Sequence, residues 1–365
     1  MKYNYDEKTN KMLEELQASI LEEYDNSPAI SVRLNLLPMN HNAYDKYVRI
    51  KNEDGTFRTE IREHKVQNPV KTIAIHEATP GKADGSMPTK PPRYVTDVNH
   101  YERLVKSGTP KNPRPYGDST AYHAMVAYPG LFGNPEIVLY LPATSSPEQL
   151  ANKPLTKYAY GIERLCGEEQ NYHLAIANQA MLAAFVLREI GYDKQAGAKH
   201  VFPHQFFARN NKACPARMLY ATDLLEKTKT GKHLTQQEED ALKEYVPWDV
   251  FVNLVETFYE RDKYPLELEQ KFIMDHSDYE AYKKDPEHYN YAERRKFKEK
   301  TPIDPIRIAG PADPDYSYLR PIKPEENQNL TFKEIKYSKK DNKTNNNTNN
   351  NIKKNKNDKD DDLER

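Results

Sequence analysis

Residues 204–218, HQFFARNNKACPARM, set His204 ten positions before Cys214, with Lys212 two ahead of the cysteine and Pro215 directly after it. Imidazole and thiolate are metal ligands, but one of each is too few. A catalytic zinc site takes three protein ligands from His, Cys, Asp and Glu and keeps a fourth position open for water. Most of the eleven histidines (41, 64, 76, 100, 123, 173, 200, 204, 233, 276 and 288) stand in polar segments, where an exposed imidazole is the ordinary reading. His76 differs: it lies near the C-terminal end of VKTIAIHEA (70–78), the strongest strand signal in the chain. Alternation there puts Ile73 and Ile75 on one face and Thr72, Ala74 and His76 on the other. Functional groups collect at the C-terminal ends of strands in open α/β sheets. His76, His204 and Cys214 therefore form a candidate ligand set, although a half-buried strand histidine is, from the residues alone, the commoner account of His76.

Glu163 adds weight to that set. It sits in the middle of YGIERLC (160–166), where a carboxylate among apolar neighbours is costly unless it is paired or used. The strand period groups Gly161, Glu163 and Leu165 and turns Arg164 and Cys166 to the other side. Arg164 is thus a poor ion-pair partner for Glu163, which leaves another base as the alternative to use at a site, and Cys166 reads as a core thiol.

The elements that must hold these residues follow from periodicity and punctuation. DEKTNKMLEELQASILEEY (6–24) carries Met12, Leu13, Leu16, Ile20 and Leu21 at helical spacing and ends at Asn26, Ser27 and Pro28. Residues 29–68 mix short strand-like pieces with polar turns, Asn52 to Gly55 among them. Further strand signals are STAYHAMVAY (119–128), EIVLYL (136–141) and YAYGIERLC (158–166). YHLAIANQAMLAAFVLREI (172–190) is apolar on nearly every face apart from Asn178, Gln179 and Arg188, the pattern of a helix buried against a sheet, and Gly191 stands where a C-cap belongs. Helices are also expected near 215–227, 235–245 and 248–261. In the Pro-, Gly- and Lys-rich connection at 80–118 a short helix is expected near 97–106, and the connection is long enough to carry function. Beyond about 275 the pattern decays, the Pro-punctuated residues 302–324 are expected to be extended, and no internal repeat is visible.

Composition narrows the classes. The chain has 365 residues, a formal charge of -1, 26 tyrosines and two cysteines, with a mean hydropathy of -0.96. That charge gives no argument for nucleic acid or an anionic membrane as partner. No run of 18 apolar residues predicts a spanning helix, the N-terminus has no apolar signal-peptide region, and two cysteines build no disulfide framework. The last 28 residues, with nine Asn, seven Lys and five Asp, bury too little apolar surface to offset the entropy of ordering, so a disordered tail or linker is expected.

The ordered pieces IAIHEAT, STAYHAMV, YGIERLCGEE, the buried helix with Gln179, and HQFF…NNKACPARML resemble the zinc-dependent N-acetylmuramoyl-L-alanine amidases of type 2. That family shares its fold with peptidoglycan recognition proteins and includes many phage endolysins. The resemblance spans roughly residues 70–225. It implies an α/β fold with a central mixed β-sheet flanked by helices, with Zn2+ held by His76, His204 and Cys214. Glu163 matches the glutamate many members use as general base, Tyr122 a tyrosine lining the site in some, and Lys212 a lysine that steadies the developing oxyanion in others. His123, beside Tyr122, matches a structural or supporting histidine. The Trp-His pair that many members carry ahead of GIE is missing from LYLPATSSPEQLANKPLTKYAY (139–160), and the insertion at 80–118 is larger than usual.

The function implied by the resemblance is that of a peptidoglycan hydrolase, with bacterial peptidoglycan as partner, no nucleic acid and no membrane insertion. The setting implied is a host cytoplasm before holin-type release and then the cell wall, with mounting on a virion as the alternative. A non-catalytic binding module of the same fold would typically have lost the cysteine, and Cys214 is present. Trp248 and the tyrosines at 259, 264, 279, 282, 289 and 291 are read as packing ahead of sugar stacking. The expected plan is an N-terminal extension (1–69), a catalytic domain (70–230), a helical then Pro/Tyr-rich extension (231–337) and the tail (338–365), which could reach a further cell-wall-binding domain or a virion structure.

Overall fold

The strands are, in chain order, β1 (Ser31–Leu34), β2 (Asp45–Lys51), β3 (Phe57–His64), β4 (Thr72–Ile75), β5 (Gly108–Thr109), β6 (Asn112–Pro113), β7 (Ala124–Ala127), β8 (Glu136–Leu139), β9 (Ala159–Arg164) and β10 (Val201–Pro203), with β4, β7 and β8 drawn from short apolar and β-branched stretches. The computed structural model describes residues 3, 5–38, 41, 45–64, 69–78, 102, 103, 106, 108, 109, 112, 113, 121–130, 133–147, 149, 157–165, 171–192, 200–207 and 213–297. All of these fall in the compact unit Met1–Pro321. Most of 80–118, the 302–324 stretch and the 338–365 tail lie outside the described residues.

Six strands join one sheet in the order β1-β8-β7-β9-β4-β10. β7 and β8 pair antiparallel, and the other four contacts are parallel. This is the mixed sheet that was expected. β4, β7, β8 and β9 are buried at every position, as strands covered on both faces must be. β2 and β3 form a separate hairpin, whose turn uses Gly55 at φ +83° and the Asp54 carboxylate, which accepts the Thr56 N–H at 2.9 Å.

One face of the sheet carries Ile73, Ile75, Ala124, Val126, Ile137, Leu139, Tyr160 and Ile162 into a core shared with the buried helix. With α1 running Glu7–Asp25, that buried helix is α2, Tyr172–Glu189. Asn171 caps its start by accepting the Leu174 N–H at 3.0 Å. At its end Gly191 takes φ +83°, Gly191 N–H donates to Arg188 C=O and Tyr192 N–H to Leu187 C=O, both at 3.1 Å. That pair of bonds is a Schellman stop. Neither α2 nor any other helix of the described residues is long and apolar enough to cross a membrane. The opposite sheet face carries Met125, Ala127, Val138 and Leu165 into a smaller cluster with Leu37 and Tyr140, against which Tyr122 packs.

The remaining helices are α3 (His204–Phe207), α4 (Ala216–Lys229), α5 (Gln236–Glu244), α6 (Trp248–Arg261), α7 (Leu266–Lys271), α8 (His276–Lys284) and α9 (Tyr291–Arg295). α1 and α6 pack on α2, burying Leu13, Ile20, Phe251, Leu254, Val255 and Phe258. Residues on both sides of the expected boundaries at 69/70 and 230/231 thus share one core. β1, from the stretch read as an extension, is an edge strand of the main sheet. Its exposed backbone is covered: Val32 N–H donates to Glu267 at 2.9 Å, and Lys271 donates to Val32 C=O at 2.7 Å.

Beyond residue 275 the expected loss of pattern is corrected by α8 and α9. The tyrosines of this region are packing groups, with Tyr279 and Tyr291 buried and the hydroxyl of Tyr289, between the two helices, donating to Phe272 C=O at 2.5 Å. Helical periodicity is weak there because each helix is short and buries only one or two side chains.

Candidate metal centre

Sheet register builds the site. β10 pairs β4 with Pro203 opposite Ile75, so the next residues, His204 and His76, emerge side by side at the C-terminal ends of adjacent parallel strands. Their ring centroids lie 4.4 Å apart. β9 pairs β4 on the other side with Ile162 opposite Ile75, which puts Glu163 next to His76. Three chemistry-bearing residues therefore stand in a row across β9, β4 and β10, on the sheet face turned away from α2.

The ladder continues past β4 to hold His76 in place. His76 N–H donates to Ile162 C=O at 2.9 Å and Arg164 N–H donates to His76 C=O at 3.2 Å. Gln179, a polar exception in the buried helix, donates its amide to both His76 C=O and Ile162 C=O, at 2.9 and 3.0 Å. One side chain of α2 thereby clamps the two strand ends from which the site grows.

Cys214 arrives from the turn ahead of α4. Gln205 N–H donates to its carbonyl at 2.9 Å, and Glu77 N–H donates to its Sγ at 3.4 Å. Its sulfur and the imidazoles of His76 and His204 present ligand atoms all within 4.8 Å of one another, the one such three-residue group among the described residues. All three are buried, at 0%, 7% and 3% exposure for His76, His204 and Cys214. A tetrahedral zinc, with bonds of about 2.0–2.1 Å to nitrogen and 2.3 Å to sulfur, sets its ligand atoms roughly 3.3–3.7 Å apart. Two imidazoles and one thiolate within 4.8 Å fit that ion after a small side-chain contraction.

Glu163 is 3% exposed, and its Oε1 accepts the Arg164 N–H at 3.1 Å. Its carboxylate is one strand over from His76 and outside the three-residue group. Arg164 does point the other way, as the strand period requires: its guanidinium pairs with Glu77 at 3.2 Å, both side chains fully buried. Tyr122 is half-buried, its ring centroid 4.6 Å from that of His76. Lys212 and Cys166 lie outside the described residues.

His123 is structural. Its Nδ1 accepts the Gly161 N–H at 3.0 Å, which leaves Nε2 protonated and donating to Ser145 C=O at 3.0 Å. Full burial lowers its pKa to about 4. The ring also stacks on Tyr160, centroids 4.7 Å apart.

The residues that sequence reasoning missed are Glu77 and Arg217. Glu77 accepts the Arg217 N–H at 3.1 Å and pairs with its guanidinium at 3.5 Å. Glu77 stands directly after His76, but both of its partners are distant in the chain, so no local pattern marks its role.

No family model and no curated protein matches the chain. Among solved structures it is similar to the catalytic domain of XlyA, at 16% identity over 56% of this chain and 100% of that chain, TM-score 0.34. It is similar also to a mutant endolysin from Bacillus subtilis, at 17% identity over 56% of this chain and 100% of that one, TM-score 0.34. The Staphylococcus aureus hydrolase AmiA in complex with its ligand matches at 11% identity over 68% of this chain and 91% of that chain, TM-score 0.35.

Proposed function

We propose that this chain is a peptidoglycan hydrolase that cleaves the amide between the lactyl group of N-acetylmuramic acid and the L-alanine of the stem peptide. The observation that carries the reading is the convergence of His76, His204 and Cys214 on one buried point, the ligand set that the motif resemblance implies. His76, His204 and Cys214 would hold a zinc ion, which would supply a Lewis acid to bring the pKa of water toward about 7 and to polarise the scissile carbonyl. Glu163, beside His76 on the same sheet face, takes the proton from the attacking water and returns it to the departing amine. Lys212 donates to the developing oxyanion, and Tyr122 lines the site next to His76. The proposed setting is phage-mediated lysis of a bacterial host; finding the protein in purified virions would assign it to the particle instead.

Glu163→Gln tests the reading. The variant should keep its full zinc complement by elemental analysis while release of new L-alanine amino groups from purified cell walls falls about 100- to 10,000-fold. Wild-type protein that binds no zinc, or a variant that still lyses walls at the wild-type rate, would sink it. His204→Ala should lose the metal.

A further inference from the structure

Glu77 belongs to none of the roles above, yet it touches both halves of the metal centre. Its position in the chain, directly after His76, ties it to the end of β4, where Ala78 N–H donates to Arg164 C=O at 3.0 Å. Its backbone N–H reaches across to the Cys214 sulfur at 3.4 Å. Its carboxylate accepts the Arg217 N–H at 3.1 Å, in the first turn of the helix that starts just after Cys214. The same carboxylate is held from behind by the fully buried Arg164 at 3.2 Å and from the side by the Arg217 guanidinium at 3.5 Å. Both guanidinium groups lie over Tyr172, at 4.8 and 5.2 Å from its centroid.

α4 has no side-chain cap, because Pro215 occupies that place. The first-turn amide of Arg217 is therefore served from outside the helix, by Glu77. An anion at a helix N-terminus is favoured by the helix dipole as well as by the hydrogen bond. The consequence is geometric: the peptide that carries one ligand and the helix start that carries another are joined through a single residue.

We propose that Glu77 is a positioning residue, a brace that fixes Cys214 relative to His76 so that the three ligand atoms meet at one point. This rests on the metal reading given under Proposed function. Residues that orient ligands typically change metal affinity about 10- to 100-fold when removed.

Cobalt(II) gives a readout independent of turnover, since thiolate ligation produces a near-ultraviolet charge-transfer band. Wild-type apoprotein titrated with cobalt should show that band; its absence would overturn the metal reading itself, and the brace with it. If the band is present, Glu77→Gln should keep the wild-type far-ultraviolet circular dichroism while its cobalt dissociation constant rises at least about tenfold, with the band weakened. Should that variant fail to fold with Arg164 left uncompensated, the pair replacement Glu77→Met with Arg164→Met removes the buried charges together, a change such pairs often tolerate. A purely structural role predicts that the double variant regains both stability and cobalt affinity. The brace predicts a folded protein whose affinity stays at least about tenfold down. Either folded variant binding cobalt as tightly as wild type, with the same band, would overturn the proposal.

Discussion

His123 shows how far a single environment sets chemistry in this molecule. With Nδ1 accepting from Gly161 and Nε2 donating to Ser145, only the neutral ring satisfies both partners. Burial, the larger cause, holds its pKa at about 4 against the ordinary 6.5. An unfolded chain takes up this proton as pH falls through about 6.5, whereas the folded protein refuses it until about 4. Stability is therefore intact above the higher value and lost across that window, by about 3 kcal/mol in all. Urea unfolding of wild type and His123→Asn at pH 7, 5.5 and 4 should show the wild-type advantage shrinking by roughly that amount. A constant difference would mean that the imidazole titrates alike in both states. The same scale explains why Glu163 was findable: a lone carboxylate in an apolar strand is conspicuous in sequence, and it is found 3% exposed on the face that alternation assigns. Glu77 was not, because its partners Arg164 and Arg217 are far from it in the chain.

Within elements, β9 shows what a glycine makes room for. A Cβ on Gly161 would fall 1.4 Å from Gln149 Oε1. That glutamine is buried and donates to Ala159 C=O at 2.6 Å, so it fills the space a side chain would need. Gly161→Ala must displace Gln149 and break that bond, and should destabilise the fold by about 1–3 kcal/mol in urea unfolding. Adding Gln149→Ala should recover part of the loss, because the two changes remove the same clash. Strictly additive effects would show that the clash is not the cause. Strand and helix positions were legible to within a few residues wherever the apolar period was sustained, as in α2 and α6. The short helices α8 and α9 were not, since two turns with one or two buried positions leave too little pattern to read.

For the whole molecule, both ends of the described chain close one core. α1 and α6 cover α2, the bidentate pair of Arg261 with Asp25 joins their C-terminal ends at 2.7 and 3.1 Å, and α7 seals the edge of β1. A fragment of residues 70–230 would uncover α2 and lose β1, and it should unfold without a cooperative transition and bind the dye ANS. A fragment of residues 1–321 retains the compact unit and should melt as the full chain does. Cooperative melting of the 70–230 fragment would show that the site-bearing segment folds alone.

The sequence by itself determined the candidate ligand types, the α/β class, the buried helix with its glycine stop, and the faces of the strands that bear His76 and Glu163. These are properties of local period and of residue chemistry, which neighbours in the chain already specify. Only the tertiary structure decided that β10 lies beside β4 in the register that sets His204 against His76. It alone placed the start of α4 on Glu77 and folded the N-terminal and C-terminal helices over α2. Each of those outcomes depends on contacts between residues tens to hundreds of positions apart, and no local pattern records which distant partner will satisfy a buried charge or a strand edge.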